Sequence, residues 1–245
     1  MKSDFYNLQA FKKGRNSLNE IELELLGDVK GKKVLHLQCH FGQDTISLGR
    51  IGAEVTGVDF SDTAINEARK LATELNSNAK FVCCDIYDLP NHLNDSFDIV
   101  FTSYGTYGWL PDLNKWAAVI NQYLKPGGIF VMADFHPVVW IFDDKIEKLA
   151  YSYFKSEPII EETTGTYADK DADLHITSVG WNHSLSEILT PLLNNGLVLK
   201  SFQEFDYSPY NCFQNMVEVG SNRFKFSGLG SAIPIVFAIK AEKKL

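Results

Sequence analysis

The sequence predicts an α/β fold in which a doubly wound, mostly parallel sheet carries helices on both faces, and three observations support this. Residues 33–37 and 54–58 are short, nearly continuous apolar runs, as expected for strands covered on both faces. Helix-length segments separate such runs, which indicates parallel β-α-β units. A loop follows the first run and an acid, Asp59, follows the second. Both positions meet ligands in nucleotide-binding sheets.

Length and composition favour one large globular domain. The chain has 245 residues, of which 45% are hydrophobic and 22% charged, and this suffices for a sizeable core. No apolar run reaches membrane-spanning length and no secretory signal is visible, so we expect a cytoplasmic protein that does not enter a membrane. The net charge of −8 and the lack of a basic segment argue against nucleic acid as the main partner.

The cysteines predict free thiols. None of the four forms a Cys-x-x-Cys pair; they are Cys39, Cys83, Cys84 and Cys212. We therefore expect small buried hydrophobes in a reducing compartment and no metal site.

The first half of the chain alternates helix and strand. An apolar stripe with interleaved glutamates predicts the first helix, and Gly52 ends the second. Ser61 or Asp62 caps the third, and the turn at residues 125–128 ends the fourth. In order, the predicted elements are helix 17–26, strand 33–37, helix 44–51, strand 54–58, a helix from 61 or 62 to 75, strands 80–84 and 97–102, helix 113–124 and strand 129–134.

The pattern changes after His136, and residues 138–182 are predicted to form an insertion or lid within the domain. This segment is aromatic and acidic. We expect a helix over 143–150 and exposed antiparallel strands at 151–154 and 174–177 around a polar turn at Gly165. The later predicted elements are helix 184–193, strand 197–205, a long connection over 207–229 and a final strand over 234–241.

Five short motifs occur in order, four of them at the ends of predicted strands and the fifth just before a strand. They are Val-Leu-His-Leu-Gln-Cys-His-Phe-Gly at 34–42, Asp59, Asp85 with Ile86, Phe-Thr-Ser-Tyr-Gly at 101–105, and Leu-Lys-Pro-Gly-Gly at 124–128. Together they resemble the class I S-adenosylmethionine-dependent methyltransferases. The resemblance implies a Rossmann-like three-layer α/β/α sandwich and a seven-stranded sheet with an antiparallel last strand. It also implies one methyltransferase domain over 1–245 and S-adenosylmethionine as cofactor.

The resemblance gives individual residues roles in holding the adenosine end. Asp59 would accept hydrogen bonds from the ribose hydroxyls, and Phe60 would lie on the adenine face. Asp85 would accept from the adenine amino group while Ile86 donates its backbone N–H. The complete predicted cofactor set is Gln38, Cys39, His40, Gly42, Asp59, Phe60, Asp85, Ile86, Thr102 and Ser103.

The first of these motifs departs from the family pattern. His36 stands where the family has an acid, and Gln38 and His40 stand at glycine positions. Side chains there crowd backbone that glycine leaves open, although Gln38 or His40 could reach the methionine carboxylate of the cofactor. A nicotinamide-dependent oxidoreductase, a less favoured alternative, would need Gly-x-Gly-x-x-Gly here, which residues 38–43 lack.

The predicted chemistry is methyl transfer to an oxygen or nitrogen of a small molecule. Open α/β sheets bind ligands at the carboxyl ends of their strands. His136, after the fifth strand, is therefore the candidate base or substrate hydrogen-bond donor. The candidate acceptor-site residues are Tyr104, Trp109, Trp140 and Tyr207. A binding-only or regulatory protein of the same fold is the main alternative.

Overall fold

The computed structural model describes residues 6–164 and 175–245. The helices are α1 (Leu8–Lys12), α2 (Glu20–Leu26), α3 (Gln43–Arg50), α4 (Asp62–Glu74), α5 (Leu113–Tyr123) and α6 (Leu185–Asn194). The strands are β1 (Lys33–Leu37), β2 (Glu54–Asp59), β3 (Lys80–Cys83), β4 (Phe97–Ser103), β5 (Leu124–Phe135), β6 (Ile159–Thr164), β7 (His175–Gly180), β8 (Leu197–Phe205), β9 (Met216–Gly220), β10 (Arg223–Phe226) and β11 (Val236–Lys243).

A seven-stranded sheet forms the middle layer, in the order β3-β2-β1-β4-β5-β11-β8. Strands β3, β2, β1, β4 and β5 pair in parallel. The last strand, β11, is antiparallel to both β5 and β8. The predicted fold class, including the antiparallel last strand, is confirmed.

Helices cover both faces of this sheet. On one face, Leu25 of α2 and Leu48 of α3 pack against strand residues, and α4 joins α3 through a smaller apolar cluster. On the other face, Trp116 of α5 and Ile188 of α6 pack against the sheet. None of the helices in the described parts of the chain is long and apolar enough to cross a bilayer.

The N-terminal helices differ from the sequence-based expectation. Helix α1 was not predicted, and α2 begins at Glu20 rather than at residue 17. Asn19 and Glu22 form a capping box that fixes this start. Glu22 was expected on a polar helix face, but its side chain is fully buried.

Within the segment predicted to be an insertion, residues 138–182, the predicted helix over 143–150 and the predicted strand over 151–154 are wrong. Asp143 Oδ1 accepts hydrogen bonds from the backbone N–H of Glu147 and Lys148, while Phe142 bridges to Leu149. These contacts form a compact turn instead of a helix. The antiparallel pair is β6 with β7, and the predicted turn at Gly165 lies outside the described residues.

Residues 181 and 183 bond to the segment that follows β4. The Trp181 backbone N–H donates to Gly108 O at 2.8 Å. His183 Nε2 donates to Leu110 O, also at 2.8 Å. The stretch before α6 therefore lies beside the segment that follows β4.

Two further boundaries differ from expectation. Strand β5 begins at Leu124, directly after α5, rather than at residue 129. The connection expected over 207–229 contains the hairpin of β9 and β10. That hairpin turns through Asn222, which has a left-handed backbone with φ of 52°.

Candidate functional site

The sheet order brings most of the predicted cofactor residues to one edge. Strands β2, β1, β4 and β5 are consecutive neighbours, and parallel strands end at the same side of a sheet. The loop after β1 (residues 38–42, here the first loop) lies between Asp59 at the end of β2 and the segment after β4 (residues 103–106, here the β4 segment).

The first loop adopts left-handed backbone conformations despite its side chains. Gln38, His40 and Gly42 have φ values of 54°, 51° and 80°, and a non-glycine residue in this region costs about 1–2 kcal/mol. Two hydrogen bonds offset that cost. Gln38 Nε2 donates to Thr106 O at 2.9 Å, and the His40 backbone N–H donates to Asp59 Oδ2 at 2.8 Å.

The floor of the first loop is tightly packed. A Cβ on Gly57 of β2 would lie 2.8 Å from Cys39 Sγ, and one on Gly42 would lie 2.6 Å from a Phe81 ring carbon. Cys39 is buried, and burial raises the pKa of its thiol. Cys39 therefore acts as a packing residue, whereas Gly42 allows the loop to approach β3.

The N-terminal segment lies against the same loop. The Tyr6 ring centroid is 4.7 Å from that of Phe41 and 5.8 Å from that of His40. Gln43 Nε2 donates to Tyr6 O at 3.2 Å. Burial lowers the pKa of His40, so this ring is favoured in its neutral form.

The predicted adenosine-binding side chains lie at the ends of β2 and β3. Asp59 Oδ1 accepts from the Ser61 backbone N–H at 3.0 Å, and each carboxylate oxygen keeps a further lone pair for a ligand donor. The Phe60 ring is 77% exposed, which excludes a core role. Asp85 is exposed and accepts from the Tyr87 N–H at 2.7 Å, whereas the Ile86 side chain is buried.

Behind the first loop, the acid position of the family holds an uncharged histidine. His36 is buried, and its Nδ1 is 2.9 Å from Thr45 Oγ1. Burial lowers the pKa of His36 to about 3. The ring is therefore neutral near pH 7 and supplies no charge to a ligand.

Two neighbouring residues at the end of β4 play different parts. Thr102 is fully buried and its hydroxyl donates to Leu37 O at 3.4 Å, so its side chain serves the sheet. Ser103 Oγ instead donates to Asp44 Oδ2 at 3.2 Å. Asp44 lies in the first turn of α3 and is partly exposed.

Asp134 of β5 holds the rest of the β4 segment. It is fully buried. Its Oδ1 accepts from the Gly105 N–H at 2.6 Å and the Phe135 N–H at 2.7 Å. Its Oδ2 accepts from the backbone N–H and hydroxyl of Thr106. Burial raises the pKa of Asp134 although these donors favour its charged form.

A buried carboxyl group also contacts Tyr104, one of the predicted acceptor-site residues. The Tyr104 hydroxyl donates to Glu22 Oε2 at 3.2 Å, and the rings of Tyr104 and Tyr210 lie 5.0 Å apart. Burial first, and the nearby Asp44 carboxylate second, raise the pKa of Glu22 to about 7. Glu22 can therefore change its charge near neutral pH.

His136 is held by protein contacts. It is buried, its Nδ1 accepts from the Val138 N–H at 3.1 Å, and its Nε2 lies 3.0 Å from Glu204 Oε1. Because Nδ1 is an acceptor, the proton resides on Nε2. Burial lowers the pKa of His136. In this tautomer the Nε2 proton faces Glu204 Oε1, and both predicted roles of His136 toward a substrate stay predictions.

Two of the other predicted acceptor-site residues, Trp140 and Tyr207, pack against the same apolar cluster as Tyr104. Trp109 is 54% exposed. Trp140 packs on Phe213 and lines a cavity of about 180 Å³. Tyr207 lies under the Arg223 guanidinium, 4.7 Å from it.

Sequence reasoning missed three carboxyl groups that shape the site: Glu22, Asp44 and Asp134. Glu22 follows the N-cap Asn19 by three residues, and this capping-box spacing was a readable signal. Asp44 was included in a predicted helix and Asp134 in a predicted strand. Nothing in the local pattern indicated that they contact the β4 segment, because those contacts join residues 28 to 59 positions apart.

The chain is similar to known methyltransferases. Residues 34–128 match the family model described as "Methyltransferase domain". An uncharacterised methyltransferase of Synechocystis is 35% identical over 53% of this chain and 59% of its own length. The ubiquinone biosynthesis O-methyltransferase of Coxiella burnetii is 30% identical over 51% of this chain and 54% of its own length. The matched region thus spans less than two thirds of either relative.

Solved structures extend the likeness of fold to nearly the whole chain. The S-adenosylmethionine-dependent methyltransferase of Mesorhizobium loti superposes with a TM-score of 0.61 at 18% identity. The superposition covers 95% of this chain and all of that one.

Proposed function

Because the chain belongs to the class I S-adenosylmethionine-dependent methyltransferase family, whose enzymes use S-adenosylmethionine, we propose that it transfers the methyl group of this cofactor to a small molecule. The observation that carries the proposal is the direct bond between two cofactor motifs: the His40 N–H donates to Asp59 Oδ2 at 2.8 Å. The first loop and the ribose-binding acid thus form one preorganised unit although the loop lacks two of its glycines.

The residues present fit the cofactor. Asp59 offers a carboxylate with free lone pairs, and the exposed Phe60 ring offers a flat apolar face for adenine. Asp85, just after β3, offers a further carboxylate. We assign the ribose, the adenine face and the adenine amino group to these three residues in that order.

The chain's part in the reaction is alignment and exclusion of water. When bound, S-adenosylmethionine supplies an activated methyl group on a sulfonium. Transfer then needs the acceptor atom held in line with that methyl group. The β4 segment, fixed by Asp134 and by Gln38, is the rigid wall on which such alignment depends. His136 stays a prediction as a donor to the acceptor.

A small acceptor with an apolar part suits the region beyond β5. The cavity of about 180 Å³ is lined by five apolar or aromatic side chains and by more polar ones: Val139, Trp140, Phe142, Ile146 and Phe213, and Asp143, Asp144, Cys212 and Gln214. The Coxiella relative is named a ubiquinone biosynthesis O-methyltransferase, and it supports the same acceptor class.

A cytoplasmic location is part of the proposal, in keeping with free cysteines.

Calorimetric titration of the purified chain tests the proposal. We expect S-adenosylmethionine and S-adenosylhomocysteine to bind and NAD not to bind. Asp59→Ala should weaken binding by about tenfold or more, the value of a lost charge-assisted pair. Asp62→Ala, which removes an exposed acid three residues further on, is the matched control.

Each result has a definite meaning. Absence of binding to the wild-type chain would overturn the proposed function. Binding without methyl transfer to any member of a metabolite library would favour the binding-only or regulatory alternative. Equal effects of the two alanine variants would remove the ribose role from Asp59.

A further inference from the structure

We infer that Gln38 and Asp44 hold the ammonium group of the cofactor's methionine end, in place of the acid that the family carries at the position of His36. This inference rests on the proposed function and specifies one part of its site. The glutamine at a glycine position of the first loop then has a binding role. The two acceptors for the ammonium group are the neutral amide oxygen of Gln38 and the carboxylate of Asp44.

The need for another acceptor follows from His36. Its ring is buried against Thr45 and Phe101, with Nδ1 at hydrogen-bond distance from Thr45 Oγ1. A neutral imidazole cannot balance the positive charge of an ammonium group. The strand that supplies the acid elsewhere in the family therefore supplies none here.

Gln38 presents an acceptor with no partner. Its Nε2 donates to Thr106 O, and this carbonyl can only accept, so the orientation of the amide is fixed. Its Oε1 is buried and has no hydrogen-bond partner. A buried polar atom without a partner costs about 1–3 kcal/mol. An ammonium group, with three donors, would remove that cost.

The same geometry revises the earlier expectation for Gln38. Gln38 or His40 was expected to reach the methionine carboxylate, but the bond to Thr106 occupies the amide nitrogen of Gln38. The atom left for a ligand is an oxygen, which suits a positive group rather than a negative one. Gln38 therefore suits the ammonium group of the methionine part of the cofactor rather than its carboxylate.

Asp44 supplies the charge. It follows the first loop by two residues and contacts the same β4 segment as Gln38, through Ser103 rather than Thr106. Among the described residues, no lysine or arginine nitrogen lies within 4.0 Å of its carboxylate. Burial raises the pKa of Asp44, whereas the Ser17 and Ser103 hydroxyls and the nearby Arg15 cation favour its charged form. A partly exposed carboxylate that also bonds Ser103 attracts a cation.

The test compares two ligands that differ only in the ammonium group. S-adenosylhomocysteine carries it, whereas its deamino analogue keeps the carboxylate and the adenosine. Titration calorimetry of the full chain should show that Asp44→Asn weakens S-adenosylhomocysteine binding by about tenfold, equivalent to about 1.4 kcal/mol. Binding of the deamino analogue should change by less than about twofold.

Two further variants complete the design. Gln38→Asn shortens the side chain but tolerates the left-handed backbone, and it should also reduce the preference for S-adenosylhomocysteine over the deamino analogue. Asp62→Asn removes an exposed acid from the first turn of α4. It is the control for general charge and helix-terminus effects and should leave both affinities unchanged.

The outcomes separate this inference from the proposed function. If the wild-type chain binds neither ligand, the proposed function fails. If it binds S-adenosylhomocysteine but Asp44→Asn weakens both ligands equally, or neither, the assignment of the ammonium group is overturned while cofactor binding stands. Melting temperatures of the variants show whether a lost affinity reflects a lost fold.

Discussion

Thr106 donates two hydrogen bonds to a single oxygen of Asp134, one from its backbone N–H at 3.0 Å and one from its hydroxyl at 2.8 Å. The carbonyl of the same residue accepts from Gln38. Thr106 thus joins the buried end of β5 to the first loop. Asp134, near the end of β5, is fully buried and fixes the β4 segment through these bonds.

Asp134→Asn should weaken both the fold and the site. An amide nitrogen in place of either oxygen would face N–H donors, since Gly105, Phe135 and Thr106 all donate to this carboxylate. We expect a loss of about 3 kcal/mol in the free energy of unfolding. Urea denaturation measures this loss, and calorimetry should show weaker S-adenosylhomocysteine binding.

Thr106→Val is the graded control for that variant. It removes only the hydroxyl donor and should cost about 1 kcal/mol, while the backbone bond to Asp134 remains. Equal losses for Asp134→Asn and Thr106→Val would show that the backbone donors contribute nothing, contrary to the positioning role of Asp134.

Phe60→Ala should affect binding but not stability. The ring is 77% exposed, and truncation of an exposed side chain changes the free energy of unfolding by about 0.5 kcal/mol or less. Loss of stacking on a base costs about 1–3 kcal/mol, so affinity for S-adenosylhomocysteine should fall about tenfold. Phe154→Ala, at a ring 67% exposed, is the matched control and should bind as the wild type does. An unchanged affinity for Phe60→Ala would remove this ring from the adenine site.

Much of the central fold was predictable because its signals are local. Strand β1 was placed at its observed bounds, and β2 was one residue short. Strands covered on both faces leave continuous apolar runs, which can be recognised in the sequence.

The segment 143–150 has a helix-like composition, but Asp143 binds the backbone of Glu147 and Lys148 and closes a turn. Side-chain competition of this kind leaves no periodic signal.

The site was predictable where it depends on motif position and unpredictable where it depends on tertiary contacts. Asp59 and Phe60 lie at the end of β2, as their position after an apolar run indicated. The burial of Glu22 and the contact of Asp44 with Ser103 arise only when side chains of α2 and α3 meet near the end of β4. Such contacts between distant residues have no counterpart in the local pattern.

Glu22 makes stability depend on pH. Its pKa is raised from 4.5 to about 7, so its contribution to stability is complete below pH 4.5 and is lost as pH rises through 7. Glu22→Gln removes this titration. The stability of the variant relative to wild type should therefore increase between pH 5 and pH 8, by on the order of 2–3 kcal/mol.

Thermal unfolding of both proteins at the two pH values measures this change. Glu24→Gln, at an exposed position of the same helix, is the control and should show no such trend. If the difference between Glu22→Gln and wild type is the same at pH 5 and pH 8, Glu22 does not titrate in this range.

Alanine substitutions at two glycines with left-handed backbone distinguish the cost of backbone strain from the cost of close packing. Gly42 and Gly105 have φ values of 80° and 74°, so alanine at either position is strained by about 1–2 kcal/mol. A Cβ at Gly105 would meet no atom within 4 Å, whereas one at Gly42 would lie 2.6 Å from the Phe81 ring and 3.1 Å from the Ala68 Cβ.

Gly42→Ala should therefore destabilise the chain more than Gly105→Ala does. The additional loss in the free energy of unfolding should be about 1–3 kcal/mol, which is the usual cost of overpacking. Chemical denaturation of the two variants measures the difference, because the backbone strain is common to both. Relief of the clash requires Phe81 to move away from the first loop, so affinity for S-adenosylhomocysteine should fall as well. Equal stabilities would mean that Phe81 yields freely and that Gly42 is needed only for its backbone conformation. A larger loss for Gly42→Ala would show that the one glycine this loop retains is the one its packing against β3 requires.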